Sequence, residues 1–170
     1  MEKTKNRLFL AVPAILYDYE KIKADLAGSI RGRWVPSGNL HLTLSFFGDR
    51  FKREELLSRL EPLMWKIDAT EITGLGFFKH NRILYAKAES LTLEELHTNI
   101  AWEFDLPVKQ GFVGHITLMR IKKIYDIEVF RQKISSYDGR VIGKLEPRLE
   151  LLQSHLFSDG ARYESIKIYS

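Results

Sequence analysis

Two short segments of this 170-residue chain carry the same alternation of polar and apolar residues, and this repeat limits the fold more than any other feature. Residues 41–44 read HLTL and residues 115–118 read HITL. Alternate side chains of a β-strand point to opposite faces, so each His shares a face with the Thr two positions later. The repeat therefore predicts two similar strands, each with a polar face and an apolar face directed into a core.

The remaining sequence predicts helices interspersed with β-hairpins, which favours an α+β fold over a doubly wound parallel sheet. Pro13 is expected to end the first strand, and Pro62 to kink or break the second helix. No linker rich in Gly, Ser or Pro separates two halves, so we expect one domain over residues 1–170. The predicted strands cover residues 7–12, 40–47, 71–78, 82–88, 112–121, 148–157 and 162–168, and the predicted helices cover 15–30, 52–67, 91–104 and 125–134.

Composition narrows the classes of function. The chain contains no Cys, which excludes disulfides, thiolate zinc sites and Cys nucleophiles. It has no apolar run of the roughly 18 residues that span a bilayer, and its polar first residues do not resemble a secretory signal, so we expect a cytoplasmic protein without a membrane partner. A net charge of +4 suits a polyanionic partner such as RNA, although many basic proteins bind no nucleic acid.

The residue types of the repeat suit the chemistry of a phosphodiester. Imidazole has an ordinary pKa of about 6.5, so one His can accept a proton from attacking water while the other donates one to the leaving oxygen. Each Thr hydroxyl can donate to a non-bridging phosphate oxygen, where charge grows in the transition state. These four side chains supply acid, base and oxyanion contacts, so we expect neither a metal nor another cofactor.

The pattern by itself leaves other interpretations open. The repeat is also compatible with two strands whose polar faces simply meet water. A metalloenzyme is disfavoured, because two His without an Asp or Glu in either motif supply too few ligands.

The similarity to known proteins extends beyond the two tetrads. Five parts of the chain resemble one family in the same order. They are the opening strand (7–13), the first motif (33–49), the central hairpin (74–78 and 82–85), the second motif (112–120) and the final hairpin (156–163). The chain resembles the 2H phosphoesterases, specifically the bacterial and archaeal RNA 2′,3′-cyclic phosphodiesterases, also called 2′-5′ RNA ligases. This resemblance spans nearly the whole chain.

The resemblance implies a bilobal α+β fold, in which two pseudo-symmetric lobes of antiparallel sheet with flanking helices surround a central groove. It implies hydrolysis of RNA 2′,3′-cyclic phosphate ends to 2′-phosphates, with a minor reverse ligation, by a protein that we expect to be monomeric. By the same resemblance His41 and His115 are catalytic, and Thr43 and Thr117 bind the phosphate. We assign His41 as the acid and His115 as the base, an assignment that the sequence does not decide.

The resemblance also implies two substrate contacts, each five residues after a motif His. Phe46 would stack on a base and Arg120 would reach a phosphate. Strict alternation places both on the core side of their strands, so this role requires a bulge or a strong twist. Core packing for Phe46 and a solvated strand end for Arg120 are the alternatives.

Several further residues carry weaker expectations. Gly114 stands where the family commonly has Pro before the second motif His, and we expect it to loosen the entry to that strand. Trp34 is expected to line the groove or to pack in the core. Among the remaining His and basic residues, we expect His80 and His97 at the surface, His155 near the groove or in a strand, and Arg33, Lys122 and Lys123 to steer RNA or simply to be solvated.

Two other functions use the same features. A phosphodiesterase acting on small cyclic nucleotides needs the same four side chains and differs only in what the outer groove holds. A non-catalytic RNA-binding module would bind phosphate in the groove without turnover.

Overall fold

The computed structural model describes residues 7–63, 66–107 and 111–170 of the chain. Within them, four α-helices accompany a sheet of ten antiparallel strands, which confirms the predicted α+β class. None of these helices is long and apolar enough to cross a membrane. The strands are β1 (Arg7–Leu16), β2 (Ile30–Trp34), β3 (His41–Gly48), β4 (Thr70–Thr73), β5 (Leu75–Phe78), β6 (Ile83–Lys87), β7 (His115–Ile124), β8 (Val141–Leu145), β9 (Leu149–Phe157) and β10 (Gly160–Tyr169), and the helices are α1 (Tyr19–Leu26), α2 (Arg53–Leu60), α3 (Leu91–Glu103) and α4 (Ile127–Ser135).

The two motif strands are neighbours at the centre of the sheet. The strand order is β10-β9-β1-β3-β7-β6-β5, with β2 beside β7 and with β8 pairing both β1 and β4. Strands β3 and β7 are joined by one residue pair, Leu42 with Ile116. The sheet therefore has two halves that meet at the repeated motifs.

The apolar face of the motif strands forms the centre of the core. Leu42, Leu44, Ile116 and Leu118 are each at most 1% exposed, and all four helices contribute buried side chains to the same cluster. Complete burial of such a side chain contributes about 1.5–3 kcal/mol. The polar face of both motifs consequently points away from the core.

The first strand and first helix differ from the prediction. Strand β1 continues through Pro13, which pairs with His41 on β3, and ends only at Leu16. Proline lacks only its own N–H, and the flanking Ala14 N–H donates to Leu40, so the ladder survives. The helix then starts at Tyr19 rather than at residue 15.

Two other predicted elements are interrupted at a glycine or a proline. The predicted strand 71–78 is divided at Gly74, whose φ of +83° breaks the extended chain. Helix α2 ends at Leu60 and is followed by a 3₁₀ turn at Glu61–Leu63, which confirms the break at Pro62. The predicted continuation to residue 67 is wrong from residue 66 onward, and residues 64 and 65 lie outside the described residues.

Candidate active site

The two motif histidines are held by equivalent hydrogen bonds. His41 donates from Nδ1 to the carbonyl oxygen of Asn39 at 2.7 Å, and His115 donates from Nδ1 to that of Val113 at 2.8 Å. A carbonyl oxygen only accepts, so Nδ1 carries the hydrogen on both rings. This leaves Nε2 of each ring as the nitrogen that can take or give a proton.

Each motif His also lies against one Phe and one Tyr. The ring of His41 is 5.3 Å from Phe9 and 5.2 Å from Tyr163, with the Tyr edge-on. The ring of His115 is 5.1 Å from Phe78 and 5.7 Å from Tyr85. These four aromatic residues were missed by the sequence reasoning because they lie on other strands, far from the motifs in sequence. The two rings of each pair also contact one another, at 5.4 Å for Phe9 and Tyr163 and at 4.1 Å for Phe78 and Tyr85, so each imidazole packs against an aromatic pair.

The strand pairing brings the two motifs together. Because β3 and β7 run antiparallel through the pair Leu42–Ile116, His41 lies on the side of Thr117, and Thr43 on the side of His115. All four polar side chains are half-buried, on the face opposite the core. Each His thus lies beside the Thr of the other motif, so the predicted four-residue cluster is formed by both halves of the sheet.

Two equivalent bulges turn Phe46 and Arg120 toward this face. Opposite β1, Thr43 and Ser45 pair with the consecutive residues Ala11 and Leu10, so β3 bulges at Leu44. Phe46 is therefore 58% exposed, and its ring lies 6.4 Å from that of Phe9.

The second bulge occupies the same position of its motif. Opposite β6, Thr117 and Met119 pair with the consecutive residues Tyr85 and Leu84, so β7 bulges at Leu118. Met119 is buried and Arg120 exposed, on the face of Thr117. The substrate contacts predicted for Phe46 and Arg120 require a bulge, and both strands have one. The alternative that Phe46 packs in the core is wrong, because its side chain is exposed.

Burial affects the protonation of His41. Desolvation lowers the pKa of His41 below its ordinary value of 6.5. The hydrogen bond to Asn39 opposes this shift, and the nearby charge of His115 adds to it. In the free protein, His41 is consequently biased toward the neutral form at neutral pH.

A cavity of about 650 Å³ opens beside the motifs. Its lining includes Thr43, His115, the exposed ring of Phe46, and also Phe78 and His80. His41 and Tyr163 instead line a smaller cavity of about 190 Å³. The larger cavity is of the size that accommodates a small ligand, with aromatic rings and hydrogen-bonding groups in its walls.

His97 was predicted at the surface, and this prediction is wrong. It is 9% exposed, donates from Nδ1 to the carbonyl oxygen of Leu44 at 2.7 Å, and stacks on Phe112 at 4.4 Å. It also lines the larger cavity. The helical pattern contained the signal, because His97 follows Leu93 by four positions and so shares the apolar face of α3.

Two glycines permit close packing around His115. A Cβ on Gly114 would lie 2.1 Å from the carbonyl oxygen of Ala88, whose N–H donates to Gly114 at 3.0 Å. The entry to β7 is thus held by this backbone bond and by a close approach that a Cβ would block, so the expectation that Gly114 loosens it is wrong. A Cβ on Gly76 would similarly overlap the ring of Tyr85, which flanks His115.

The other candidate residues lie outside the cluster or at its edge. His155 is half-buried and bonds Glu164 at 3.1 Å, on the outer hairpin of the sheet. Trp34 packs against the core and meets Tyr19 edge-on at 6.1 Å, so it is a core residue. His80 is exposed, as predicted, at the rim of the larger cavity.

Comparison with known proteins gives relatives over most of the chain. No family model matches the sequence. The chain is 29% identical over 163 residues to an RNA 2′,3′-cyclic phosphodiesterase of Aquifex aeolicus, covering 87% of this chain and 86% of that protein. It is 27% identical over 176 residues to a protein of the same name from Methanocaldococcus jannaschii, covering 95% of this chain and 98% of the relative.

Solved structures share the fold. The apo crystal structure of Escherichia coli LigT superposes with a TM-score of 0.70 at 22% identity, covering 98% of both chains. LigT complexed with 3′-AMP gives a TM-score of 0.71 at 21% identity over 97% of both chains. The predicted fold is confirmed by this agreement.

Proposed function

We propose that this chain is a 2H phosphoesterase of the RNA 2′,3′-cyclic phosphodiesterase type and that it hydrolyses the 2′,3′-cyclic phosphate ends of RNA to 2′-phosphates. The observation that carries this proposal is the matched pair of imidazoles. Both are fixed through Nδ1 and both keep Nε2 for proton transfer, one in each half of the sheet. A hydrolysis that needs one acid and one base requires such a pair.

In the proposed reaction, water attacks phosphorus and the bond from phosphorus to the ribose 3′-oxygen breaks. Nε2 of His115 takes a proton from the water, and protonated Nε2 of His41 gives one to the departing 3′-oxygen. The products are a 2′-phosphate and a 3′-hydroxyl. In the minor ligation, an RNA 5′-hydroxyl attacks the phosphorus in place of water, and the same bond to the 3′-oxygen breaks, which leaves a 2′-5′ linkage. His115 then takes the proton of the 5′-hydroxyl and His41 again protonates the 3′-oxygen, and the two rings exchange roles only when such a linkage is cleaved back to the cyclic phosphate.

The two threonines act on the phosphate. Their hydroxyls donate to the non-bridging oxygens, where negative charge grows as water adds. Because Thr43 lies beside His115 and Thr117 beside His41, each hydroxyl is positioned next to one of the two proton-transfer groups. Loss of one such donor typically lowers kcat by about 10²–10³.

Phe46 and Arg120 extend the site outward. We propose that Phe46 stacks on the base of the terminal nucleotide, because its ring is exposed on the wall of the larger cavity. We propose that Arg120 binds a phosphate, since it is exposed on the face of Thr117. Both motifs come from one chain, so a monomer with a single domain suffices.

Hydrolysis in EDTA tests the proposal. A short RNA ending in a 2′,3′-cyclic phosphate is incubated with the metal-free protein, beside a nucleoside 2′,3′-cyclic monophosphate. We expect conversion to a 2′-phosphate, faster on the RNA. Binding of the RNA without turnover would instead support a binding module. Preference for the mononucleotide would support a phosphodiesterase of small cyclic nucleotides.

A substrate with sulfur in place of the 3′-oxygen tests the acid assignment. A thiolate leaves without protonation more readily than an alkoxide, since a thiol has a pKa of about 8.5. If His41 is the acid, this substrate should restore turnover to His41→Ala but not to His115→Ala. The opposite pattern would reverse the two roles.

A further inference from the structure

Four basic residues form an unneutralised array on the sheet face next to the site. In the pairing of β2 with β7, Arg33 lies opposite Arg120 and Arg31 opposite Lys123. Between these two pairs, Gly32 on β2 lies opposite Ile121 on β7, on the core side. The four basic side chains therefore share the other face of the sheet. All four are exposed.

This arrangement is electrostatically unfavourable for the isolated protein. Like charges directly opposite one another on antiparallel strands destabilise a sheet. Within residues 7–63, 66–107 and 111–170, none of the four makes an ion pair with a carboxylate. Two directly opposed cation pairs without acidic partners are expected where a polyanion supplies the missing charge.

The array is continuous with the proposed site. Arg120 lies on the face of Thr117, one bulge further along β7. The guanidinium of Arg33 reaches the turn before β10, where Nη1 is 3.6 Å from the position of a Cβ on Gly160. With a rise of about 3.3 Å per residue, Lys123 lies roughly 15–20 Å beyond Thr117 along the strand.

Two other arginines have carboxylate partners. Arg162 is 3.4 Å from Asp159, and Arg53 is 3.9 Å from Glu164. The charges of Arg162 and Arg53 are thus balanced within the protein, whereas the four cations of the β2–β7 face have no carboxylate partner within the described residues.

We propose that the β2–β7 face, with Arg31, Arg33, Arg120 and Lys123, binds the phosphates of the RNA strand that precedes the cyclic end. This inference rests on the proposed function, because a 2′,3′-cyclic phosphate ends the chain and leaves the strand only its 5′ side on which to extend. The face then selects RNA ends over cyclic mononucleotides, which have no preceding phosphate.

The test compares Arg31→Gln/Lys123→Gln with the control Lys21→Gln/Lys144→Gln, which loses the same charge at exposed sites on α1 and β8. Binding of a ten-nucleotide RNA with a 3′-terminal phosphate is measured over a range of salt concentrations. Two lost phosphate contacts should flatten the slope of log K against log salt by about 1.4, at roughly 0.7 for each phosphate of a single strand. The control should keep the parent slope, and equal slopes in all three proteins would overturn the inference.

Turnover separates this inference from the proposed function. The array variant should lose about tenfold or more in kcat/KM on the RNA and keep the parent value on a nucleoside 2′,3′-cyclic monophosphate. Equal losses of kcat/KM on both substrates would overturn the inference that this face binds the RNA strand. A parent protein that hydrolyses neither substrate contradicts the proposed function, while the salt slopes still decide whether the face binds RNA. The melting temperature of the array variant should not fall, because the substitutions relieve like-charge repulsion.

Discussion

His97 donates its Nδ1 hydrogen to the carbonyl oxygen of Leu44 at 2.7 Å, and this bond lies at the bulge that turns Phe46 toward the site. The same ring stacks on Phe112, with an interplanar angle of 20°. Phe112 precedes Val113, whose carbonyl holds His115. One buried side chain on α3 therefore contacts the backbone of the first motif and the segment that leads into the second.

This relationship makes His97 a positioning residue. We expect His97→Phe to keep the stacking on Phe112 but to leave the Leu44 carbonyl without its donor, at a cost of about 1–3 kcal/mol in stability. A displaced bulge should lower kcat by about tenfold on a cyclic-phosphate RNA while KM changes little. His97→Asn, which restores an N–H donor near the position of Nδ1, should recover part of the loss. Parent-like kcat in His97→Phe would show that the bond is only structural.

Removal of the two hydroxyls tests the phosphate contacts. Thr43→Val and Thr117→Val keep the shape of the side chain, so the fold should persist. Each should lower kcat by about 10²–10³, because the lost donor acts where charge develops. Thr43→Ser and Thr117→Ser are the matched controls and should retain most of the activity. If Thr43→Val or Thr117→Val kept the kcat of the parent, the substituted Thr would have no role in the proposed mechanism.

The pH dependence of single-histidine variants assigns the proton roles. In His115→Ala, the remaining imidazole is His41, whose pKa burial holds below its ordinary value. An acid must be protonated, so residual activity should fall as pH rises through a pKa below 6.5. Activity that rises over the same range would make His41 the base. Rates are measured by single turnover on a cyclic-phosphate RNA.

Phe46→Ala tests base stacking. Stacking on an aromatic ring contributes about 1–3 kcal/mol per base, so KM for a nucleoside 2′,3′-cyclic phosphate should rise by about 5- to 150-fold. Ribose 2′,3′-cyclic phosphate lacks the base and should react equally with both proteins. Phe46→Tyr, which keeps the ring, is the control. An equal loss on the substrate without a base would indicate a packing role against Phe9.

The alternation of the two motifs predicted their strands, their core residues and the shared face of His41 and Thr43. It also predicted that Phe46 and Arg120 need a bulge, but not where the bulge lies. A bulge depends on the register with a neighbouring strand, here Ala11 and Leu10 opposite β3, and that pairing is not encoded in the motif itself. The aromatic flanks of each His depend on the same long-range pairing.

The missed strands show a different limit. Strand β2 (Ile30–Trp34) has two Arg and a Gly among five residues, so it does not have the composition of a strand. It forms because its apolar residues pair with the core side of β7, and its exposed Arg residues extend the array beside the site. Tertiary pairing outweighs local propensity there, as it does at Pro13.

Catalysis by the paired imidazoles is tested by the rate at which His41→Ala and His115→Ala form the 2′-phosphate without metal. His155→Ala is the control, because that imidazole is bonded to Glu164 on β9 and β10, outside the cluster. We expect kcat to fall by at least about 10²–10⁴-fold in both motif variants while they remain folded, and we expect His155→Ala to keep the kcat of the parent. Parent-like turnover in either motif variant would contradict catalysis by the paired imidazoles.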